Sequence, residues 1–140
     1  MSKARGIAAE RELKNYFDDR GYRTIRSAGS RSPVDIVVSR YFPQFGPVTM
    51  GIQVKSTRKE ILRLSRSVII ELINYSMRSG FEPVLAIRFG KKRWRVWRSG
   101  NWLEELTDDS DLSKLLDRDK KQYCVFSVKD KTSKHLEDAF

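Results

Sequence analysis

Two strand-like runs carry polar groups at positions where a sheet normally stays apolar, and this constrains the fold more than any other feature of the chain. Asp35 interrupts Pro33-Val34-Asp35-Ile36-Val37-Val38, and Gln53 and Lys55 bracket Val54 in Gly51-Ile52-Gln53-Val54-Lys55-Ser56. Side chains two apart on a strand share a face. Gln53 and Lys55 therefore stand side by side, and Asp35 on a neighbouring strand completes a cluster of two oxygen-bearing groups and an ammonium. Glu10, on an amphipathic segment upstream, is the fourth member. Taken singly, each residue reads better as a strand start or a solvent-facing edge position. Independent surface placement does not predict that all four converge, and a converged cluster of this kind suits a hard divalent cation beside a phosphate.

At 140 residues the chain has room for one core. The expected organisation is a single domain over residues 1–128 and a polar tail, 129–140, that frays. The lone cysteine, Cys124, excludes an internal disulfide framework and a thiolate metal cluster; it lies in Tyr123-Cys124-Val125-Phe126 and reads as a buried structural thiol. This suits a reducing compartment, so the expected location is cytoplasmic, with the genomic DNA. No apolar stretch is long enough for a spanning helix and the N-terminus lacks an apolar signal core, so a soluble, unprocessed protein without membrane contact is expected. The net charge is +10 and unevenly spread: residues 1–100 carry +13 and residues 101–140 carry −3. A positive field of this kind attracts polyanions, with nucleic acid the leading partner and an anionic membrane surface the weaker alternative.

Periodicity organises the rest. Gly6 to Arg20 reads as a helix with Ala9, Leu13, Tyr16 and Phe17 on one stripe and Gly21 at its end. A strand through Tyr22–Arg26, a hydroxyl-rich loop Ser27-Ala28-Gly29-Ser30-Arg31-Ser32 and the Asp35 strand follow. Prolines and glycine in Tyr41–Pro47 make a hairpin into the strand Val48–Ser56. Ser65 caps a helix running to Ser79, with Val68, Ile69, Leu72, Ile73 and Tyr75 on its apolar face and Gly80 at its end. Pro83–Phe89 is a strand; Arg93–Arg98 alternates until Trp97 breaks the period, which suggests a second hairpin. A short helix within 108–119 and a strand from Gln122 to Val128 complete the reading. The fold class is α/β: a mixed central sheet flanked by helices.

Phosphodiester hydrolysis needs an activated water, neutralisation of phosphoryl charge and help for the departing oxygen. In that chemistry Glu10 and Asp35 are the acidic metal ligands, Gln53 offers its amide oxygen, and Lys55 activates water or stabilises charge.

The segments Gly-Ile-Ala-Ala-Glu-Arg-Glu-Leu-Lys (residues 6–14), Gly21-Tyr22, Arg26-Ser27-Ala28-Gly29-Ser30, Val34-Asp35-Ile36-Val37, Ile52-Gln53-Val54-Lys55-Ser56, Tyr75–Gly80 and Pro83–Ile87 are similar to the archaeal-type Holliday junction resolvases of the PD-(D/E)XK nuclease superfamily. The resemblance covers roughly residues 5–98. It implies a restriction-endonuclease-like core and a homodimeric endonuclease dependent on Mg²⁺, with Mn²⁺ as a substitute, that recognises four-way DNA junctions by shape and nicks two opposed strands. No small-molecule cofactor is expected. Carried over by position, Glu10, Asp35 and Gln53 match the metal-binding residues, Lys55 the catalytic lysine, Ser30 the loop serine associated with catalysis (with Ser27 and Ser32 as alternatives), and Arg11 and Arg26 phosphate contacts. Two positions depart from the pattern. Gln53 stands where Glu is usual, which removes one negative charge from the ligand set, and Ser79 stands where a second ring after Tyr75 is expected.

Arg31, in the loop, and Arg58, Lys59, Arg63 and Arg66, just after the cluster, are the further candidates for DNA contact. Lys91, Lys92, Arg93 and Arg95 read as a distant hairpin, equally well solvated as DNA-bound. Trp94, Trp97 and Trp102 are expected in the core or a dimer contact, and His135 is expected to be inert. Two other functions compete: a PD-(D/E)XK nuclease acting on duplex or flap DNA, and a branched-DNA-binding protein that has lost cleavage, for which Gln53 is the hint.

Overall fold

The computed structural model describes residues 3–27, 32–98 and 123–140. Helix α1 (Lys3–Asp19) is followed by β1 (Arg23–Arg26), β2 (Ile36–Phe42), β3 (Gly46–Thr57), β4 (Ile61–Ser65), α2 (Arg66–Ser79), β5 (Glu82–Phe89), β6 (Arg93–Arg98), β7 (Tyr123–Ser127) and a short helix α3 (Leu136–Ala139). Five strands form a mixed sheet in the order β1-β2-β3-β5-β6, in which β3 and β5 are parallel and the other pairs antiparallel. The crossover between the parallel pair runs through β4 and α2. Strands β4 and β7 make a separate two-stranded ribbon.

The sheet is buried on both faces, for the reason that its strands read as near-continuous apolar runs. Ile36, Val38, Met50, Ile52, Val54, Val84, Ala86, Trp94 and Val96 meet Ala9, Leu13 and Phe17 of α1 on one face. Val34, Leu85, Ile87, Phe89 and Trp97 meet Ile69 and Leu72 of α2, with Leu64 and Phe126 of the ribbon, on the other. Full burial of a side chain such as Leu13 or Phe17 contributes about 2–3 kcal/mol. Trp97 therefore does not break the pattern of β6. The strand alternates correctly, and both of its faces are covered.

Local signals end the helices where the sequence places them. Ser65 accepts a hydrogen bond from the Ser67 N–H at the start of α2, and Gly80 closes it in the left-handed region at φ 74°. Pro47 is tolerated inside β3 because β5 pairs with β3 only from Met50 onward, leaving one side of Pro47 open.

Two expectations fail. Strand β4 was not anticipated in Ile61–Ser65, because Arg63 divides its apolar residues; the strand exists by pairing with β7 sixty residues on. The tail does not fray. Lys134 bridges to Val96, the Tyr16 hydroxyl donates to the Leu136 carbonyl at 3.2 Å, Arg98 donates to the Ala139 carbonyl, and the Phe140 ring meets Phe17 edge-on at 4.7 Å. Leu136, Ala139 and Phe140, at helical spacing, bury the tail against α1 and β6. His135 accepts from Arg95 at 2.9 Å and so has a structural contact. The acidic segment 108–119 and Trp102 lie outside the described residues.

Candidate active site

The site forms where β2 stops pairing with β3. The ladder between them ends at Ile36 opposite Ile52, while β3 runs on through Gln53, Val54 and Lys55 beside β5 alone. Asp35 occupies this end. Its main-chain N–H donates to the Ile52 carbonyl at 2.8 Å, and its carboxylate Oδ2 accepts from the Val54 N–H at 2.8 Å, taking the place of a ladder carbonyl. An aspartate in an apolar run is thus held by the strand it faces.

Residues Ile52 and Val54 belong to the α1 face, so Gln53 and Lys55 share the opposite face, and the antiparallel register carries Asp35 toward the same side as Gln53. Gln53 is buried, and its Oε1 accepts no hydrogen bond from any described residue. A buried amide oxygen without a donor is costly, on the order of 1–3 kcal/mol, and such an atom is expected where a cation completes the structure.

Glu10 reaches the cluster from α1 past the end of β2. Burial pushes the Asp35 carboxyl up to about 6; the Val54 hydrogen bond opposes this, the charge of Glu10 adds to it and the charge of Lys55 again opposes it. Both charges are therefore near Asp35. Glu10 itself is paired with Arg26, Nη2 to Oε2 at 3.1 Å. The charges of Glu10 and Lys55 both act on Asp35, and the strand register puts Gln53 on the same face of the sheet as Asp35 and Lys55. The donor set is two carboxylates and an amide oxygen, an all-oxygen set that fits a hard divalent cation. Among the described residues no group of three or more His, Cys, Asp or Glu is placed to hold a metal ion.

The remaining candidates divide. Ser30 and Arg31 lie outside the described residues. Ser27 is exposed and Ser32 is half-buried, its hydroxyl accepting from the Val34 N–H at 3.1 Å. Arg11 is exposed on α1. Arg58, Lys59 and Arg63 line an open groove of about 810 Å³ with Ser56, Thr57, Ile61 and Leu62, immediately beyond Lys55. Arg66 turns partly inward: its Nε is buried, and its charge is felt by Cys124, whose thiol burial pushes up.

The Lys91 hairpin is not distant. Gly90 donates to the Thr57 carbonyl at 2.7 Å, which puts Lys91 and Lys92 at the same end of the sheet as Arg58 and Lys59. Parallel pairing of β3 with β5 brings their ends together, and sequence separation concealed it. Arg93 pairs with Glu60 at 3.5 Å, and Arg95 binds the Val128 and Trp94 carbonyls, so Arg95 serves the fold. Trp94 and Trp97 are core residues.

Sequence reading missed two contributions: the Val54 N–H, which carries no side-chain signal, and Glu12, whose carboxylate takes hydrogen bonds from Arg88 at 2.7 Å and Trp94 at 3.0 Å.

A mixed sheet with a carboxylate at a strand end, followed by an amide and a lysine two residues apart on the next strand, defines the restriction-endonuclease-like class. Within that class the chain belongs to the archaeal Holliday junction resolvase family, whose model matches residues 1–132. The resemblance and fold class read from the sequence are borne out. Among curated proteins the chain is similar to the crossover junction endodeoxyribonuclease Hjc of Methanocaldococcus jannaschii, 35% identical over 85 residues, which are 61% of this chain and 59% of that protein. Among solved structures it is similar to the Holliday junction resolvase Hjc of Archaeoglobus fulgidus, with a TM-score of 0.64 at 20% identity over 95% of this chain and 93% of that one.

Proposed function

We propose that the protein is a structure-selective DNA endonuclease that resolves four-way junctions by paired, metal-dependent phosphodiester hydrolysis. What supports this reading is the half-buried Asp35 at the end of β2, on which the charges of Glu10 and Lys55 both act, with the Gln53 oxygen accepting from no described residue on the same sheet face, in a chain of the resolvase family.

Glu10, Asp35 and Gln53 would hold Mg²⁺, or Mn²⁺ in its place. When bound, the cation supplies Lewis-acid polarisation of the phosphoryl group and favours ionisation of the attacking water. The other tasks belong to the protein. Asp35 releases its proton above its pKa of about 6 and orients its carboxylate through the Val54 N–H. Gln53 contributes a lone pair without charge, so a smaller share of the cation's charge is neutralised by the protein. Lys55 directs its ammonium at the attacking water and the phosphoryl oxygens. Arg26 neutralises Glu10 until substrate arrives and then turns to a phosphate, and the resemblance implies a further role for the loop serine, Ser30.

Arg11, Arg26 and Arg31 contact the backbone near the cut, and the groove of Arg58, Lys59 and Arg63 takes the continuing arm, with Arg66 contributing through its exposed edge. Phosphate contacts fix position without reading sequence, so junction geometry supplies the selectivity. Two opposed nicks require two equivalent sites, which a homodimer with two-fold symmetry presents to a nearly two-fold substrate.

Cleavage of a four-way junction is tested beside linear and flap duplexes of matched length, with Mg²⁺ and with excess chelator. Metal-dependent paired nicks in the junction alone are expected. Equal cleavage of linear or flap DNA would identify a general nuclease, and junction binding without cutting would identify a binding protein.

A further inference from the structure

Helix α1 is tied to the sheet on both flanks. Its core stripe, Ala9, Leu13 and Phe17, faces the sheet. Glu10 and Glu12 are two residues apart, about 200° around the helix, and project on opposite sides of that stripe. Glu10 meets Arg26 of β1, at one edge of the sheet, where the Arg26 side chain is 36% exposed and that of Glu10 23%. Glu12 meets β5 and β6 at the other edge. One of its oxygens accepts from Arg88 Nη1 at 2.7 Å and the other from Trp94 Nε1 at 3.0 Å. The two donors are nearly withdrawn from water: the Arg88 side chain is 12% exposed and Trp94 5%. Removing the carboxylate would leave a mostly buried guanidinium and an indole N–H unpaired.

We propose that Glu12 is a positioning residue for the site: clamped between Arg88 and Trp94, it fixes the rotation of α1 on the sheet and thereby holds Glu10 beside Asp35. Leu13 and Phe17 anchor the later turns of α1, but at the turn of Glu10 the stripe presents only the single methyl of Ala9, so the Glu12 contacts add the restraint there. The Arg26 pair does not supply it, since in the proposed reaction cation and phosphate compete for those two groups. With a carboxylate about 6 Å from the helix axis, a roll of about 20° displaces it by about 2 Å, well beyond the roughly 0.5 Å that a preorganised site tolerates. The clamp therefore controls a ligand that it does not touch.

This inference rests on the reading of Glu10 as a metal ligand, and its test separates the two. Mn²⁺ binding to the DNA-free full chain is measured by calorimetry for wild type, Glu10→Gln, Glu12→Ala, Glu10→Gln with Glu12→Ala, and Trp94→Phe, which removes one clamp donor and keeps most of the packing. Phe126→Ala, a core truncation on the opposite face of the sheet where its ring meets Trp97, controls for lost stability. Glu12→Ala is expected to weaken Mn²⁺ binding roughly tenfold, Trp94→Phe less, and Phe126→Ala by under about twofold even at a matched loss of melting temperature. In the Glu10→Gln background, Glu12→Ala should cause no further loss. Wild-type affinity in Glu12→Ala, or a fully additive loss in the double variant, overturns the clamp while leaving Glu10 as a ligand. Unchanged binding in Glu10→Gln overturns both. Should Glu12→Ala fail to fold, Trp94→Phe alone decides: wild-type affinity in that variant overturns the proposal.

Discussion

At neutral pH the fold holds Asp35 as a carboxylate against its own preference for water. Its folded pKa of about 6 lies above the ordinary 3.8, so the folded protein binds this proton more tightly than the unfolded chain does. The stabilisation from protonation is complete below pH 3.8 and is lost as pH rises through 6. Above that point the carboxylate costs the fold on the order of 3 kcal/mol. Asp35→Asn should consequently abolish cleavage, retain junction binding, and unfold at higher urea than wild type at pH 8, with the difference shrinking toward pH 5; denaturation at the two pH values checks this. Mg²⁺ should raise wild-type stability at pH 8 and leave the variant nearly unaffected. Metal affinity should fall about tenfold per pH unit well below 6, because the ligand must ionise. Gln53→Glu adds an anionic oxygen where an acceptor is unsatisfied and should lower the Mg²⁺ concentration for half-maximal cutting. An unchanged titration curve would put residue 53 outside the ligand set.

Among the elements, the C-terminal segment shows how few apolar residues suffice when the receiving surface already exists. Its Leu136, Ala139 and Phe140 dock on α1 and β6, and Arg98 and Tyr16 bind its carbonyls. Because Phe140 packs on Phe17, the last residue of the buried stripe of α1, Phe140→Ala should cost about 1–3 kcal/mol by thermal denaturation. Its effect on cleavage at saturating Mg²⁺ should stay small, since Glu12 still clamps the helix. Helices α1 and α2 and most strands were legible from stripes, caps and turn residues; Ser65 and Gly80 end α2 as their side chains and backbone freedom dictate. Strand β4 was not legible, because its pairing with β7 is set by residues far along the chain. Neither was the inward turn of Arg66, whose surroundings include Cys124 of that same distant strand.

For the whole molecule, the decisive property is the concentration of positive charge at the end of the sheet that holds the proposed site. Arg58, Lys59 and Arg63 line the groove beyond Lys55, and Lys91 and Lys92 lie beside it. Junction affinity should fall steeply with salt, and each of Arg58→Ala and Lys59→Ala should reduce the slope of log K against log salt by about one. Lys91→Ala should do the same, where a remote hairpin would leave the slope untouched. Filter binding across a salt series measures all three. The residue types that could perform the chemistry are set by the sequence alone: a carboxylate in an apolar run, an amide and a lysine two apart on a strand, and an acidic residue beside a helix stripe, each with its local geometry given by period and pleat. Only the tertiary structure decided that β2 ends where β3 continues, so that Asp35 binds Val54 and Glu10 can reach past it. It alone also decided that Glu12 meets Arg88 and Trp94, and that the Lys91 hairpin lies at the same end of the sheet as Arg58 and Lys59. These are contacts between distant segments, set by strand order and register, which no local pattern encodes.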